Sequence, residues 1–505
     1  MKRKAQLGRL CAVAAAATAR ELAAQLRQAR QLVSTVELRL DWLRGDGERR
    51  RFLAWLGRQH IRGPLIATCR RRPAGGRFTG GIAAQRAVLE AATRAGCRWY
   101  DIEIETLEAS GKAFQPPANG KRRARPRARA IVSLHRFRRV RGDPSALLRR
   151  FRVARGAIWK LAARCRGLGD ALRLLRLASK HQMVVVPMGR EAMPARILSL
   201  REGSLLTYAA VSERTAPGQP GLLAAKRVYR AEEIGRRTKV YGVIGGRVNH
   251  SVSPAMHNAA FQERGVNAVY LPFPVADLQD FLGAVGPLGI RGFSVTIPYK
   301  RRIIPHLAEL DPLAKRLGAV NTVVVRRGGL CGYNTDYLGV LGALRGRVRL
   351  PGCRALVLGA GGAARAAAFA LSDSGASVRV WARRAAQARA LARAAGAAPV
   401  ERAKLHRESF DLIVNATPVG MEPDEDSPLD ARELNAAAVF DMIYRPIQTP
   451  LLRAAAARGL RTIAGVEMLV AQGTAQWELW TGLRAPAARM RRAAVEALGN
   501  QRKTG

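Results

Sequence analysis

Over the first 222 positions the apolar residues come in short unbroken runs, at 10–17, 33–40, 64–70, 99–105, 130–135, 157–163, 183–188 and 205–211. Between them lie stretches such as 19–31 and 85–95, where apolar residues recur at three- and four-residue spacing. Unbroken apolar runs read as strands covered on both faces, and the intervening period reads as amphipathic helix. Eight strands alternating with helices, roughly 20 to 35 residues apart, predict an N-terminal (β/α)8 TIM barrel over 1–222. The run at 10–17 is needed to reach eight. The first 19 positions also mimic a secretory signal, with basic residues, a short Ala-rich run and an A-x-A-like end. The strand count favours a first barrel strand.

The pattern then changes. Positions 223–238 lack a strong core pattern and read as a linker. A buried strand and glycine turn, VYGVIGG at 240–246, open a second unit. A further strand, RALVLG at 354–359, runs into Ala360, Gly361, Gly362, Ala363 and an Ala-rich helix. Strand, glycine turn and helix is the setting in which a pyrophosphate sits at a helix N-terminus. Gly359 and the four residues after it are therefore candidate cofactor positions. The next strand, 377–382, ends in Arg383 and Arg384, where an NAD enzyme would carry an acid for the ribose; arginines suit the 2′-phosphate of NADP. The expected organisation is α/β throughout. A substrate lobe at 239–344, completed by helices at 470–498, would accompany a Rossmann lobe at 345–469.

Composition refines this picture. The chain has 505 residues, 48% of them hydrophobic and 24% charged, which fits packed globular structure. No apolar run approaches the roughly 20 residues of a membrane span. Lysine and arginine number 86 against 37 acids, for a net charge of +49. Such an excess invites a nucleic-acid reading. Its arginines are scattered, however, with only short clusters at 121–129, 136–141 and 149–155, and no RNP, zinc-finger or basic-zipper pattern accompanies them. The excess reads as compositional bias, so a nucleic-acid partner is not expected. Six distant cysteines form no CxxC pair, so neither a zinc site nor a disulfide framework is expected, and a reducing cytoplasm is the simplest setting. No clustered metal-ligand pattern occurs. Oligomeric state is not readable.

Barrel chemistry gathers at strand C-termini. Reading those ends gives Glu37 and Arg39, then Arg70, His135 and Lys160. Arginines near carboxylates suit an anionic, hydroxylated substrate. Lys160 is one of only twelve lysines and stands inside an apolar strand. A desolvated lysine can form a Schiff base with a ketone; composition alone favours the blander alternative, a lysine snorkelling from the outer face. The order of motifs decides between them: VELRLD at 36–41, TCR at 68–70, SLHRF at 133–137, WKLA at 159–162, ARI at 195–197 and TAPGQP at 215–220. This series resembles type I 3-dehydroquinate dehydratase across the first half. The resemblance implies an imine at Lys160 and His135 as the base that removes the adjacent proton and returns it to the departing hydroxyl. Glu37, Arg39, Arg70, Arg196, Thr215 and Gln219 would hold the substrate. Two positions depart from the family: Ala74 replaces a Glu that partners the histidine, and Arg136 replaces an Asp. A barrel with impaired activity is the corresponding alternative.

A second series runs NHSVSPAMHN at 249–258, SVTIPYK at 294–300, GAVNT at 318–322, GYNTD at 332–336, NATPVGM at 415–421, DMIY at 441–444 and GVEMLVAQ at 465–472. It resembles shikimate dehydrogenase over 239–498. Lys300 and Asp336 are a donor and a carboxylate able to share a proton with a reacting hydroxyl or ketone. Ser251, Ser253, Thr296, Asn321 and Gln472 are short polar groups suited to a carboxylate and ring hydroxyls, and Tyr444 joins them through the resemblance. The same resemblance implies NADPH as reductant of 3-dehydroshikimate, with Asn415, Thr417, Gly465 and Met468 at the cofactor. Ser294 stands where the family more often has Asn, and Ala382 departs from its usual Asn-Arg-Thr, leaving Arg383 for the 2′-phosphate. Together the halves would catalyse consecutive steps. A quinate-oxidising dehydrogenase, and a basic nucleic-acid-binding protein on an enzyme-like fold, are the alternatives.

Overall fold

The computed structural model describes residues 7–110, 128–140, 142–153, 156–246 and 248–501. Most of the basic cluster at 121–129, the ends of the clusters at 136–141 and 149–155, and the first six positions lie outside the described residues. The described chain divides into two compact units, Met1–Thr238 with Phe273–Gly289, and Lys239–Pro272 with Ile290–Gly505.

All eight expected strands are present in the first unit. They are β1 Leu10–Ala14, β2 Thr35–Arg39, β3 Leu65–Thr68, β4 Trp99–Glu103, β5 Arg129–Arg136, β6 Ile158–Arg164, β7 Met183–Met188 and β8 Thr207–Ala210. Neighbours from β1 to β7 pair in parallel in sequence order, and β1 also pairs with β8. The edge between β7 and β8 is drawn together just before β8, where Leu205 N donates to Met183 O at 3.1 Å and Val185 N to Ser204 Oγ at 3.2 Å. The result is a near-closed TIM-like barrel. Every residue of β1 is buried, as a strand between β2 and β8 requires. The helix that follows starts at Thr18, whose hydroxyl accepts from Glu21 N while the Glu21 carboxylate accepts from Thr18 N. This reciprocal cap fixes where the helix begins.

The 223–238 stretch differs from a bare linker. Ala225, Ala231 and Ile234 are buried, and Arg9 donates to Glu232 O at 3.1 Å. Its few apolar residues are too irregular to show a period, yet several of them pack, while Leu223 is exposed.

The second unit holds two sheets. The first, in the order β10-β9-β11-β13-β14-β12, contains β9 Lys239–Gly245, β10 Ala268–Pro274, β11 Ile290–Val295, β12 Glu309–Leu310, β13 Thr322–Arg326 and β14 Gly329–Tyr333. Its β9 and β11 are parallel, whereas β13 is antiparallel to both β11 and β14. The second sheet has β15 Arg354–Leu358, β16 Ser377–Trp381, β17 Ala398–Pro399, β18 Phe410–Asn415, β19 Ala436–Asp441 and β20 Arg461–Ile463. All its pairs are parallel, in the order β17-β16-β15-β18-β19-β20. Counted from β15 this is 3-2-1-4-5-6, the Rossmann order, whose switch point lies between β15 and β18. The long helix Gly465–Thr481 packs against the helix Asp336–Leu344. Small residues permit the approach: a Cβ on Gly339 would stand 2.9 Å from the Gln472 Cβ. No helix among the described residues is long and apolar enough to cross a membrane.

Candidate active sites

Inside the barrel, Lys160 is 4% exposed. It therefore does not snorkel from the outer face. Its Nζ lies 2.8 Å from Asp101 Oδ2, 3.8 Å from Glu37, and 4.1 Å from the centre of the Tyr208 ring. Four strands thus converge on one amine. The other Asp101 oxygen accepts from Arg70 Nη2 and from Ser133 Oγ, each at 2.7 Å. Glu37 accepts from Thr68 Oγ1 at 2.7 Å. Burial alone would raise the Asp101 carboxyl, but Arg70, Lys160 and His135 outweigh it and hold it well below the usual carboxylate range. Arg70 keeps its Nε buried without a hydrogen bond among the described residues, a donor left over for a ligand.

His135 is in the same cluster. Burial, and then the positive charges of Arg70 and Lys160, push its imidazole well below its ordinary value. A neutral ring is what a base needs. Its Nδ1 is buried with no hydrogen-bond partner among the described residues. In the turn Arg72–Ala74, Ala74 carries only a methyl and offers no acceptor, and Gly75 beside it approaches the Phe137 ring.

The remaining barrel candidates are more engaged. Arg39 gives both Nε and Nη2 to Asp41, at 2.9 and 2.7 Å. Arg196 donates to the carbonyls of Pro187 at 2.8 Å and Pro217 at 3.0 Å, and burial pulls its guanidinium down to about 10. Thr215 donates through N and Oγ1 to Gln219 Oε1, at 2.9 and 3.0 Å. Arg196 thereby fixes the loop that carries Thr215 and Gln219. Gly218 in that loop has φ +74, and a Cβ there would meet Gly189 O at 2.1 Å.

In the second unit Lys300 Nζ donates to Asp336 Oδ2. The other Asp336 oxygen accepts from Asn321 Nδ2 at 2.7 Å, and Asn321 also reaches Gln472 at 3.5 Å. Asp336 starts its helix, where Asn334 Oδ1 accepts from its N at 3.1 Å. Ser251 Oγ accepts from Ser253 N at 3.2 Å at the head of the helix Ser253–Glu263. Ser294 is held by Tyr270 OH at 2.6 Å and donates to Gln476 Oε1 at 2.7 Å. Thr296 and Tyr444 are half-buried.

The glycine turn after β15 lies beside this lysine, since a Cβ on Gly362 would be 3.5 Å from Lys300 Cδ. Gly359 has φ +114, and a Cβ there would meet Ala416 O at 3.0 Å, so only glycine fits between β15 and β18. A Cβ on Gly361 meets nothing within 4 Å, leaving open space over the N-terminus of the helix Gly362–Asp373. Asn415 Oδ1 accepts from Thr417 N and Oγ1, at 3.0 and 2.7 Å. Gly465 lies against Ile443 O, and Met468 is buried beside Gly339. Arg383 and Arg384 are exposed just past β16. Open glycine backbone with two exposed arginines, and no acid at that strand end, fits a phosphorylated dinucleotide.

Comparison with known proteins gives a match along nearly the whole chain. The bifunctional 3-dehydroquinate dehydratase/shikimate dehydrogenase, chloroplastic, of Arabidopsis thaliana is 33% identical over 94% of this chain and 82% of its own length. The chain belongs to this bifunctional family. As a member of it, the chain matches three family descriptions: Type I 3-dehydroquinase over 10–236, Shikimate dehydrogenase substrate binding domain over 243–323, and Shikimate 5'-dehydrogenase C-terminal domain over 465–495. The Shikimate dehydrogenase (NADP(+)) of Symbiobacterium thermophilum is 43% identical over 52% of this chain and 96% of its own length. The solved Shikimate 5-Dehydrogenase of Thermus thermophilus, in complex with NADP(H) and shikimate, has 42% identity and a TM-score of 0.49 over 52% of this chain and all of that one.

Several site residues of this bifunctional chain escape the sequence reading. Asp101 is the foremost, followed by Tyr208 in the barrel and Tyr270 and Gln476 in the second unit. A signal for Asp101 existed: DIEIE at 101–105 places acids in alternation within a buried strand, where an unpaired charge is untenable. Gln476 lies one helical turn after Gln472, on the same face.

Proposed function

We propose that Lys160 is the amine that condenses with the ketone of 3-dehydroquinate, and that Lys300 with Asp336 handles the proton when 3-dehydroshikimate is reduced to shikimate. The chain is a bifunctional dehydratase and NADP-dependent dehydrogenase, and these are its consecutive steps. The observation that carries the first assignment is the burial of Lys160 among carboxylates inside the barrel. The amine attacks the ketone carbon, water leaves, and an imine forms. His135, neutral and buried, removes a proton from the carbon next to the imine. It then returns that proton to the departing hydroxyl, which leaves as water. Hydrolysis of the imine frees the lysine. Glu37 on β2 and Arg70 just past β3 face the substrate, while Arg196 acts through the loop bearing Thr215 and Gln219.

In the second unit NADPH supplies the hydride. Gly359–Gly362 and Arg383 would hold its phosphates. Lys300 delivers a proton to the substrate oxygen, and Asp336 keeps the ammonium aimed. Asn321 holds Asp336, while Ser251, Ser253, Thr296 and Gln472 are the polar groups for the substrate carboxylate and hydroxyls.

All six cysteines are buried, unpaired thiols, which suits a reducing cytoplasm. The arginines are scattered along the chain, some of them in surface ion pairs such as Arg316–Asp373 and Arg491–Glu467, and no nucleic-acid partner is part of this reading.

A coupled assay from 3-dehydroquinate with NADPH, repeated with Lys160→Ala and Lys300→Ala, tests both assignments. Lys160→Ala should abolish borohydride trapping of a substrate adduct and leave reduction of added 3-dehydroshikimate intact. Lys300→Ala should do the reverse while sparing NADP binding. Trapping that survives Lys160→Ala overturns the Schiff-base assignment.

A further inference from the structure

The barrel site poses an electrostatic problem. When His135 takes a proton from substrate it becomes a cation in a buried cluster. The charges around it are mostly of the wrong sign. Arg39 from β2, Arg70 after β3 and Lys160 from β6 all disfavour the imidazolium, as does burial itself. The turn at Arg72–Ala74 offers no carboxylate, and Nδ1 has no acceptor among the described residues. Asp101 on β4 is an acidic group that favours the protonated ring. It is 2% exposed and already anionic, held so by Arg70 and Lys160.

We propose that Asp101 is the positioning residue of the barrel site, holding Lys160 through one oxygen and Arg70 through the other, and serving as counter-charge to the His135 imidazolium in place of the carboxylate absent at position 74. Geometry supports the first role directly, and the charge of the same carboxylate favours the second. Lys160 Nζ is 2.8 Å from Oδ2, and Arg70 Nη2 and Ser133 Oγ are each 2.7 Å from Oδ1. Glu37 is the other carboxylate near the amine, 3.8 Å away and committed to Thr68. When Lys160 becomes the imine, its nitrogen has fewer protons to give to Asp101 Oδ2, while Arg70 and Ser133 keep Oδ1 in place, so the anion stands ready as counter-charge when the imidazole acquires a proton. One buried acid thus serves amine and base in succession.

This inference rests on the Schiff-base reading of Lys160, and the test separates the two. The full chain is made with Asp101→Asn, Asp101→Glu and Asp101→Asn/Ala74→Glu. Dehydrogenase turnover of added 3-dehydroshikimate and the thermal transition report on folding. Borohydride trapping reports imine formation, and dehydratase kcat and KM report the proton steps. Asp101→Asn should still trap substrate while kcat falls about 100-fold, the range for loss of acid–base assistance. Asp101→Glu should recover part of the loss. The added Glu at 74 should raise kcat at least threefold over Asp101→Asn alone. Full kcat in Asp101→Asn overturns the proposal. So does equal loss of trapping and kcat with no recovery from Ala74→Glu, because Asp101 would then only place the lysine. Absence of trapping in the unaltered chain instead overturns the Schiff-base reading itself.

Discussion

Asn321 Nδ2 donates to Asp336 Oδ1 at 2.7 Å, while Lys300 Nζ donates to the opposite oxygen, Oδ2. The carboxylate is therefore fixed from both sides, by an amide it cannot deprotonate and by the ammonium it steers. Asn321→Ala removes one side. Dehydrogenase kcat should fall about 100-fold, as expected for a misplaced reacting group. Dehydratase turnover in the same preparation should not change. Steady-state assays of both reactions check this, and an unaltered dehydrogenase kcat would refute the positioning role.

Arg383 stands past β16 with its side chain exposed. Arg383→Ala should raise KM for NADPH about 10- to 100-fold, the equivalent of about 1.5–3 kcal/mol for a charge-assisted contact. KM for NADH should stay level, since NADH lacks the 2′-phosphate. Parallel titrations with the two cofactors decide it; equal weakening of both would point to a general structural effect. The same assays with quinate and shikimate as oxidisable substrates settle which polyol the site prefers.

Gly218 adopts φ +74 with Gly189 O where a Cβ would need to be. A side chain in the left-handed region costs about 1–3 kcal/mol before any clash. Gly218→Ala should therefore displace the loop of Thr215 and Gln219. The expected result is a dehydratase KM raised about tenfold with the dehydrogenase unaffected. A dehydratase KM equal to that of the unaltered chain would show that the loop does not touch substrate.

The pH dependence of the dehydratase follows from His135. A base works only when unprotonated. Burial, Arg70 and Lys160 place this imidazole well below its ordinary value, near 6.5. The neutral form then persists as pH falls from 7 into the mildly acidic range. The expected kcat/KM profile shows no loss from this group between about pH 7 and 6. An acid limb with an apparent pKa at or above about 6.5 would contradict the assigned environment.

Much of the barrel was legible because its strands are short, mostly apolar and buried. The run at 183–188 could be bounded to the residue, and even the ambiguous run at 10–17 was settled by the need for an eighth strand. The Rossmann lobe was legible for a different reason, the glycine turn that a pyrophosphate site requires. Asp101 was not legible. Its meaning comes from Lys160, 59 positions away, and from Arg70, 31 positions away, and no local period marks a residue whose partners are that distant. Sequence motifs likewise place Arg39 and Arg196 correctly on the chain without revealing that Asp41 and two proline carbonyls already occupy them. The packing within 223–238 was not legible because Ala225, Ala231 and Ile234 are scattered and make no pattern, though each is buried.

Two units on one polypeptide fix their stoichiometry at one to one in every cell and under every level of expression. Gene dosage cannot rebalance them. The concentration of free 3-dehydroshikimate then depends on how the rates of the two steps compare, not on separate expression of the two activities. Where the dehydratase is the slower of the two, little of the intermediate would remain for competing reactions.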